Sequence, residues 1–333
     1  MSIRRKNILV YAGMLLCLLL CVFLSIAYGV KSVGFHSMVG AFVENGAQTL
    51  EVNIVQARIP RTVFGILAGA ALSVSGLLMQ SITRNPIADP SILGVNTGAS
   101  LFVVFGIAFL HIQHGNQYIV LAFLGASVTA VMVYGLASVG GGGATPIRLA
   151  LAGAAASTAL QSLVNTIMLP NSSVMDQFRF WQVGNIGGAS WEDIRLILPY
   201  FAVGFLLSAV LVPSLNAMAL GDDVATGLGV NVTLIRALAA LAGVLLCAST
   251  TALAGPISFL GLMVPHMMRM LLGPDHGKLL PACALCGASV LLLSDVLGRI
   301  LGRPGELESG IITAILGGPI FIFIIRKVKV HTI

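Results

Sequence analysis

Long runs without a charged residue constrain this chain more than any other feature. Lys6 and Lys31 are separated by 24 uncharged residues, Arg61 and Arg84 by 22, and Asp89 and Arg148 by 58. A helix needs roughly 20 apolar residues to cross a bilayer, because unpaired backbone groups are not solvated in hydrocarbon. One such run is an anchor; runs filling most of 333 residues make a polytopic helical membrane protein. Charged residues are 9% of the chain and hydrophobic ones 57%, which excludes an ordinary soluble domain. The expected fold class is all-α, with a single transmembrane domain over residues 1–333.

Hydropathy, punctuated by Gly, Pro and charge, predicts ten helices near 8–28, 59–81, 92–110, 118–138, 147–169, 194–213, 232–253, 257–272, 280–300 and 308–326. The 58-residue run holds two of them, divided at His111-Ile-Gln-His-Gly-Asn-Gln117. The eighth is short, starts after Gly255-Pro256 and already contains His266 and Arg269. An even count puts both termini on one side. That side carries eleven cations: Arg4, Arg5, Lys6, Arg84, Arg148, Arg236, Arg269, Lys278, Arg326, Lys327 and Lys329. The other carries seven: Lys31, Arg58, Arg61, Arg179, Arg195, Arg299 and Arg303. The positive-inside rule then places both termini in the cytoplasm. The net charge of +6 reflects this topology and anionic lipid, not nucleic acid. Residues 1–30 begin like a signal peptide, and Ser25-Ile-Ala27 faintly resembles a cleavage site. An apolar core of about 20 residues exceeds the usual 7–15, so a retained first helix is expected.

All five cysteines (Cys17, Cys21, Cys247, Cys283 and Cys286) fall in apolar spans and read as small buried hydrophobes. Cys283-Ala-Leu-Cys286 has redox or zinc spacing but no second ligand pair, and no disulfide framework is indicated. The sequence has no Gly-x4-Gly-Lys-Ser/Thr for binding ATP and no His-Glu-x-x-His, and Ser73-Val-Ser75-Gly76 lacks the glycine of a serine-hydrolase elbow. Asp295 is the one acid expected within a span, close enough to Arg299 for an ion pair.

The second span repeats in the seventh. Ala68-Gly69-Ala-Ala-Leu72-Ser-Val-Ser75 recurs as Ala242-Gly243-Val-Leu-Leu246-Cys-Ala-Ser249, each after an Arg (Arg61, Arg236) and each leading to a Pro-Ile pair (Pro86-Ile87, Pro256-Ile257). An offset of five spans would invert one copy, the pattern of transporter repeats. Small residues recurring at helix-packing faces give the same pattern without a repeat.

Three polar segments stand out. Arg58-Ile-Pro-Arg61 puts two guanidinium groups on one face of a helix that Pro60 can start, suited to acidic partners or to lipid phosphates. Gln80-Ser-Ile-Thr-Arg-Asn85-Pro86-Ile-Ala-Asp89-Pro90, before Leu93-Gly94-Val95, makes a rigid turn between two helices. Leu220-Gly-Asp-Asp-Val-Ala-Thr-Gly-Leu-Gly-Val230 reads as a short surface helix, capped by Asp222 or Asp223 and ended by Gly227 or Gly229.

Together, in this order, these segments resemble the membrane permeases of the iron-siderophore and cobalamin family of ABC importers. The resemblance is carried by Arg58-Ile-Pro-Arg61, Gly69-Ala-Ala-Leu-Ser-Val-Ser-Gly76, Asn85-Pro-Ile-Ala-Asp-Pro90, Phe180-Trp-Gln-Val-Gly184, Leu220-Gly-Asp-Asp-Val-Ala225 and, most specifically, Gly255-Pro-Ile-Ser-Phe-Leu-Gly-Leu-Met-Val-Pro-His-Met-Met-Arg269. It implies a ten-helix, multi-pass permease in a bacterial cell membrane, paired with a second permease subunit. Two ATPase subunits would sit inside and a substrate-binding protein outside. ATP and Mg would be bound by the ATPases, leaving this chain without a cofactor or catalytic residue. Arg58 and Arg61, with Arg299 or Arg303, resemble the pockets that receive acidic residues of the binding protein. Within a coupling loop near 214–231, Leu220, Gly221, Asp222, Asp223, Ala225, Leu228 and Gly229 resemble the helix seated in the ATPase. His266 and Arg269 match a family signature and are read as inner-end packing.

The expected cargo is a ferric siderophore, with cobalamin and haem as alternatives on the same architecture. A proton-coupled secondary transporter would need buried titratable residues along its path, and the spans contain few. A membrane-embedded enzyme finds no catalytic constellation. In a background free of native cysteines, a probe cysteine near Gln48 should react with external reagent and one near Gly142 should be spared. The opposite labelling pattern would reverse the orientation.

Overall fold

The computed structural model describes residues 3–29, 50–112, 114–139 and 144–327, with side chains from Arg5 to Phe323. Lys31, Lys329 and the side chains of Arg4, Arg326 and Lys327, used above for topology, lie outside the described residues, as do Gln48 and Gly142. The described residues form helices throughout: α1 (Ile3–Ala27), α2 (Leu50–Thr83), a short 3-10 helix (Pro90–Leu93), α3 (Val95–Phe109), α4 (Gly115–Ser138), α5 (Pro146–Met168), α6 (Ser172–Gln182), α7 (Trp191–Val210), α8 (Val212–Met218), α9 (Asp222–Gly227), α10 (Val232–Ala254), α11 (Leu260–Leu272), α12 (His276–Leu301) and α13 (Ser309–Lys327). Among the described residues, seven helices are long and apolar enough to cross a membrane: α1, α2, α4, α5, α7, α10 and α12. Three more, α3, α11 and α13, are apolar but shorter. Each predicted segment overlaps one of these ten helices.

Two differences from the sequence reading have clear causes. The second helix begins at Leu50, so Pro60 lies inside it and does not start it. Glu51, Asn53, Gln56 and Arg58 lower the local hydropathy and hide this extension, while Pro60 removes only one backbone donor. Helix α6 lies outside the ten predicted segments because it is polar. Asn171 caps it, accepting from Ser173 N at 3.1 Å and Val174 N at 3.3 Å, and Phe178 anchors it in the core. The cysteines mostly fit their reading, except that Cys17 is exposed.

Helix α2 is the axis of the packing, bordered by α12, α10 and α11. Close approach depends on small residues, as at helix interfaces in membranes generally. A Cβ on Gly69 would strike the backbone of Gly287, and one on Gly76 the backbone of Gly261. Ser75 Oγ donates to the carbonyl of Gly243 at 2.6 Å, tying α2 to α10. Two non-helical stretches lead into the short helices. Residues 85–94 carry the 3-10 helix, with Asp89 capping it through Ser91 N at 2.9 Å. The second follows Gly255, whose φ of 74° with ψ of 179° suits glycine alone, and ends at Phe259 before α11. Its neighbourhood is bonded across elements: Asn185 N to Ala254 O at 2.7 Å, and Gly310 N to Gly184 O at 2.9 Å. Irregular backbone at membrane depth needs such internal partners.

Gly76→Val should therefore displace α11 from α2, lowering stability by about 1–3 kcal/mol through overpacking. Gly135→Ala in α4, where an added Cβ meets nothing within 4 Å, should leave stability unchanged. Thermal unfolding in detergent distinguishes the two; equal midpoints would show that the α2–α11 contact is not tight.

Candidate functional site

Two polar clusters form at opposite ends of α2, and a polar cleft lies among the short helices. In the first cluster, Asp295 on α12 is the centre, with its side chain 1% exposed. Arg61 meets it side-on, with Nη2 at 2.7 Å and Nε at 3.1 Å from Oδ1. Arg299, one turn further along α12, reaches the other carboxylate oxygen at 2.8 Å. The outer edge of Arg61 binds Glu306 at 2.8 Å, in the loop between α12 and α13. Side-on pairing of this kind is why arginine, not lysine, suits a buried carboxylate.

The remaining arginines of this cluster close the end of α1. That helix has no basic residue in its own last turn. Arg58 donates to Ile26 O at 2.9 Å and Ala27 O at 3.2 Å, Arg299 to Ser25 O at 3.0 Å, and Arg303 to Gly29 O at 2.6 Å. Cations at these carbonyls satisfy orphan acceptors and the helix dipole together. Arg58, Arg61, Arg299 and Glu306 line a recess of about 290 Å³, with Ile54, Ala57 and Gly187. The structure thus gathers all four arginines singled out above, three of them around one recess, with Arg303 beside it. Arg58, Arg61 and Arg299 are buried and internally bonded, while Arg303 is exposed, so reversing Arg58 and Arg61 would break the fold as well as any docking surface.

The second cluster surrounds α9, which is shorter than the expected 222–229 segment. Its N-cap is Gly221, with no side-chain cap; Asp222 and Asp223 lie in the first turn. Asp222 is therefore not the expected cap. Its Oδ1 takes Arg84 at 2.6 Å and its Oδ2 takes Arg236 at 3.1 Å. Gly229, at φ 84°, closes the turn. Ala225 is fully buried, so it faces the molecule's own core and not a partner. The exposed apolar side chains here are Leu220, Val224 and Leu228. Nearby, Arg269 donates to Gln80 at 3.1 Å, joining α11 to α2. His276 bonds Ser81 at 2.7 Å and Asn216 at 2.8 Å, joining α12 to α2 and α8. The carboxyl of Asp275, which precedes α12, is held below its usual range, first by the Gly277 N–H and then by the Asn216 amide.

The polar cleft was not found from sequence. It measures about 360 Å³ and is lined by Asn96, Thr97 and Ser100 of α3, Gln161 of α5, Gln182 at the end of α6, and Ser258 before α11, with α13 closing it at Gly310 and Ala314. Its polar residues are neutral and scattered, so no spacing announces them. Thr251 donates to Asn96 at 3.1 Å and fixes one wall.

This all-helical assembly, with two charged ends and short helices around a polar cleft, has the form of a membrane transport subunit. The chain belongs to the FecCD transport family, whose model matches residues 17–327. It is 40% identical to the ferric enterobactin transport system permease protein FepD of Escherichia coli strain K12, covering 95% of this chain and 94% of that one. It is also 40% identical to the Fe(3+)-citrate import system permease protein YfmD of Bacillus subtilis strain 168, over 91% of this chain and 90% of that one. Among solved structures it resembles a metal-chelate type ABC transporter in an inward-facing conformation: TM-score 0.83, 26% identity, and 98% and 100% of the two chains.

The buried charges make a stability test possible. Asp295→Asn leaves Arg299, with its side chain 1% exposed, beside Arg61 without their shared anion. Removing one member of such a buried set costs about 3–5 kcal/mol. Glu306 is 37% exposed, and Glu306→Gln should cost no more than about 1 kcal/mol. Unfolding midpoints measured in one detergent should separate the two variants widely; comparable losses would mean that Asp295 does not hold the cluster.

Proposed function

We propose that this chain is the translocating permease of an ABC importer for ferric chelates with anionic oxygen donors, of the siderophore and citrate kind. The polar cleft carries this reading. Its lining offers amides and hydroxyls but no titratable side chain. Neutral donors can hold the oxygen-rich surface of a chelate weakly, and weak holding is what passage requires. A proton-coupled carrier would need an acid or histidine there. The relatives whose names specify ferric enterobactin and Fe(3+)-citrate support the same cargo class.

The finer arrangement follows on the same footing. All ten apolar helices cross the membrane, with both termini cytoplasmic, so the Arg58–Arg303 cluster faces out and α9 faces in. The paired Pro-Ile breaks before α3 and α11 then read as two inverted copies of one unit. Helix α5 exposes Thr158, Ser162, Asn165 and Thr166 along its length. An exposed amide facing lipid is costly. This face therefore looks onto a second permease subunit across a hydrated path. The recess at Arg58, Arg61 and Arg299 receives an acidic residue of a binding protein, and the Leu220–Gly229 segment seats on an ATPase.

The test is uptake into proteoliposomes that contain the permease pair and its ATPases. Radiolabelled ferric catecholate, ferric citrate, haem and cobalamin should be presented in turn with the cognate binding protein. ATP-dependent accumulation of a ferric chelate, insensitive to a proton ionophore, is expected. Accumulation driven by a pH gradient without ATP would overturn the importer reading; uptake of cobalamin or haem alone would overturn the cargo. Gln161→Leu, which removes an amide from the cleft, should slow uptake of the chelate while leaving ATPase assembly intact.

A further inference from the structure

The Asp222 carboxylate is shared by arginines from two different elements, and Arg236 reaches both of its oxygens. Arg84 stands immediately after α2, and its Nη2 binds both Oδ1 of Asp222 at 2.6 Å and the carbonyl of Met218 at 2.9 Å. Arg236 stands in the first turns of α10 and meets Oδ2 at 3.1 Å. Its side chain is 7% exposed and also reaches Ala144 O at 3.4 Å.

A second observation singles out Arg84. Its φ of 49° lies in the left-handed region, where the residue closing a helix is ordinarily glycine. A large side chain held in that conformation points to a task that glycine cannot perform. Arg84 is followed by Asn85-Pro86, so the backbone turns away while the guanidinium reaches back to α9. The outward surface of α9 is a separate matter. Val224 and Leu228 are exposed, whereas the Asp222 carboxylate is turned to the half-exposed Arg84 and the buried Arg236.

We propose that Asp222 is the joint that makes α9 move as one body with α2 and α10: a positioning residue for energy coupling, neither a cap nor an ATPase contact. The proposal rests on the reading of the 220–229 segment as the ATPase seat. Helix α2 is the means of transmission. It runs unbroken from Arg61 to the residue before Arg84, about 35 Å at 1.5 Å per residue, which is roughly the hydrocarbon thickness. Its far end is fixed to α12 through Arg61 and Asp295. A displacement of α9 is therefore delivered along one rigid element to the recess at the opposite end. Coupling between two binding sites is reciprocal, so occupation of that recess is felt at Asp222 too.

Arg84→Gly is the informative variant, because it removes the guanidinium while relaxing the backbone. Asp222→Asn removes the anion at constant size, and Arg84→Lys keeps one cation. Each is compared in the complete reconstituted complex for ATPase co-purification, for hydrolysis with and without binding protein, and for uptake of ferric chelate. Arg84→Gly and Asp222→Asn should assemble with the ATPase as the parent does, with the Arg84→Gly unfolding midpoint no lower. Their ATP hydrolysed per chelate imported should rise about tenfold or more, within the ordinary range of coupling between sites. Arg84→Lys should retain most of the coupling. Unchanged coupling in Arg84→Gly and Asp222→Asn would overturn the joint. Loss of ATPase binding in Asp222→Asn would overturn it as well, by making Asp222 a contact residue. The seat itself is tested apart from the joint by Leu228→Asp: retained ATPase binding in that variant would sink the underlying reading and leave the charge geometry without a coupling role.

Discussion

Backbone polar groups inside a hydrocarbon layer have no water to bond, and this requirement shapes the interior of the protein. Two irregular stretches, before α3 and before α11, interrupt the helical ladder. The stretch before α3 is partly open, with Pro86, Ile87 and Ser91 exposed, whereas the one before α11 is mostly covered. The stretch after Gly255 lies against α6 and α13, where Gly184 and Gly310 admit backbone-to-backbone contact. Gly261, at the start of α11, sits on Gly76 of α2. Only glycine permits such approaches, so small residues along α2, α11 and α12 are a condition for having short helices at all. The short helices in turn bring Asn96 and Thr97 of α3, and Ser258 just before α11, to the polar cleft. The cleft is thus a consequence of how interrupted backbone is made tolerable.

Charge is handled by a second rule, and α2 carries it at both ends. A buried ion without a partner costs far more than a lost hydrogen bond. At the Arg61 end, four arginines share two carboxylates and the carbonyls that end α1. Cations exceed anions there, so an incoming acid finds a favourable field even though the arginines are already bonded. At the other end one carboxylate serves two arginines from two helices. Pairing between the half-exposed Arg84 and Asp222 adds little to stability, although Arg236 is buried. Its value is directional: it fixes which elements move together.

The sequence was most legible where chemistry is local. Charge-free runs located the apolar helices because the hydrocarbon layer acts on every residue alike, and motif order located the family. Asp295 and Arg299 could be paired on paper because they lie one helical turn apart. The partner of Arg61 is 234 positions away, and nothing in the spacing connects them. Asp222 or Asp223 reads as a cap, since an acid before a short helix usually is one; the arginines that claim Asp222 come from elsewhere, one just after α2 and one in α10. The resemblance assigns Ala225 to the ATPase-facing segment, where sequence carries no burial signal, and its side chain is core. Helix α6 and the polar cleft escaped for the same reason: neutral polar residues carry no hydropathy or charge mark.

The neutrality of the cleft also bears on where the energy for transport enters. A carrier that draws on a proton gradient must bind a proton and its cargo at coupled sites, so it needs a titratable group beside the path. Amides and hydroxyls bind without taking up charge, and they release as readily as they bind. Directionality must then come from outside the path, through a change in the shape of its walls. The walls belong to α3, α5, the end of α6, α13 and the stretch that leads into α11, and α11 itself is packed on α2. Helix α2 reaches Asp222 through Arg84. A force applied at the exposed Val224 and Leu228 face of α9 therefore has a continuous, closely packed route to the cleft, without any residue of the route having to bind the cargo.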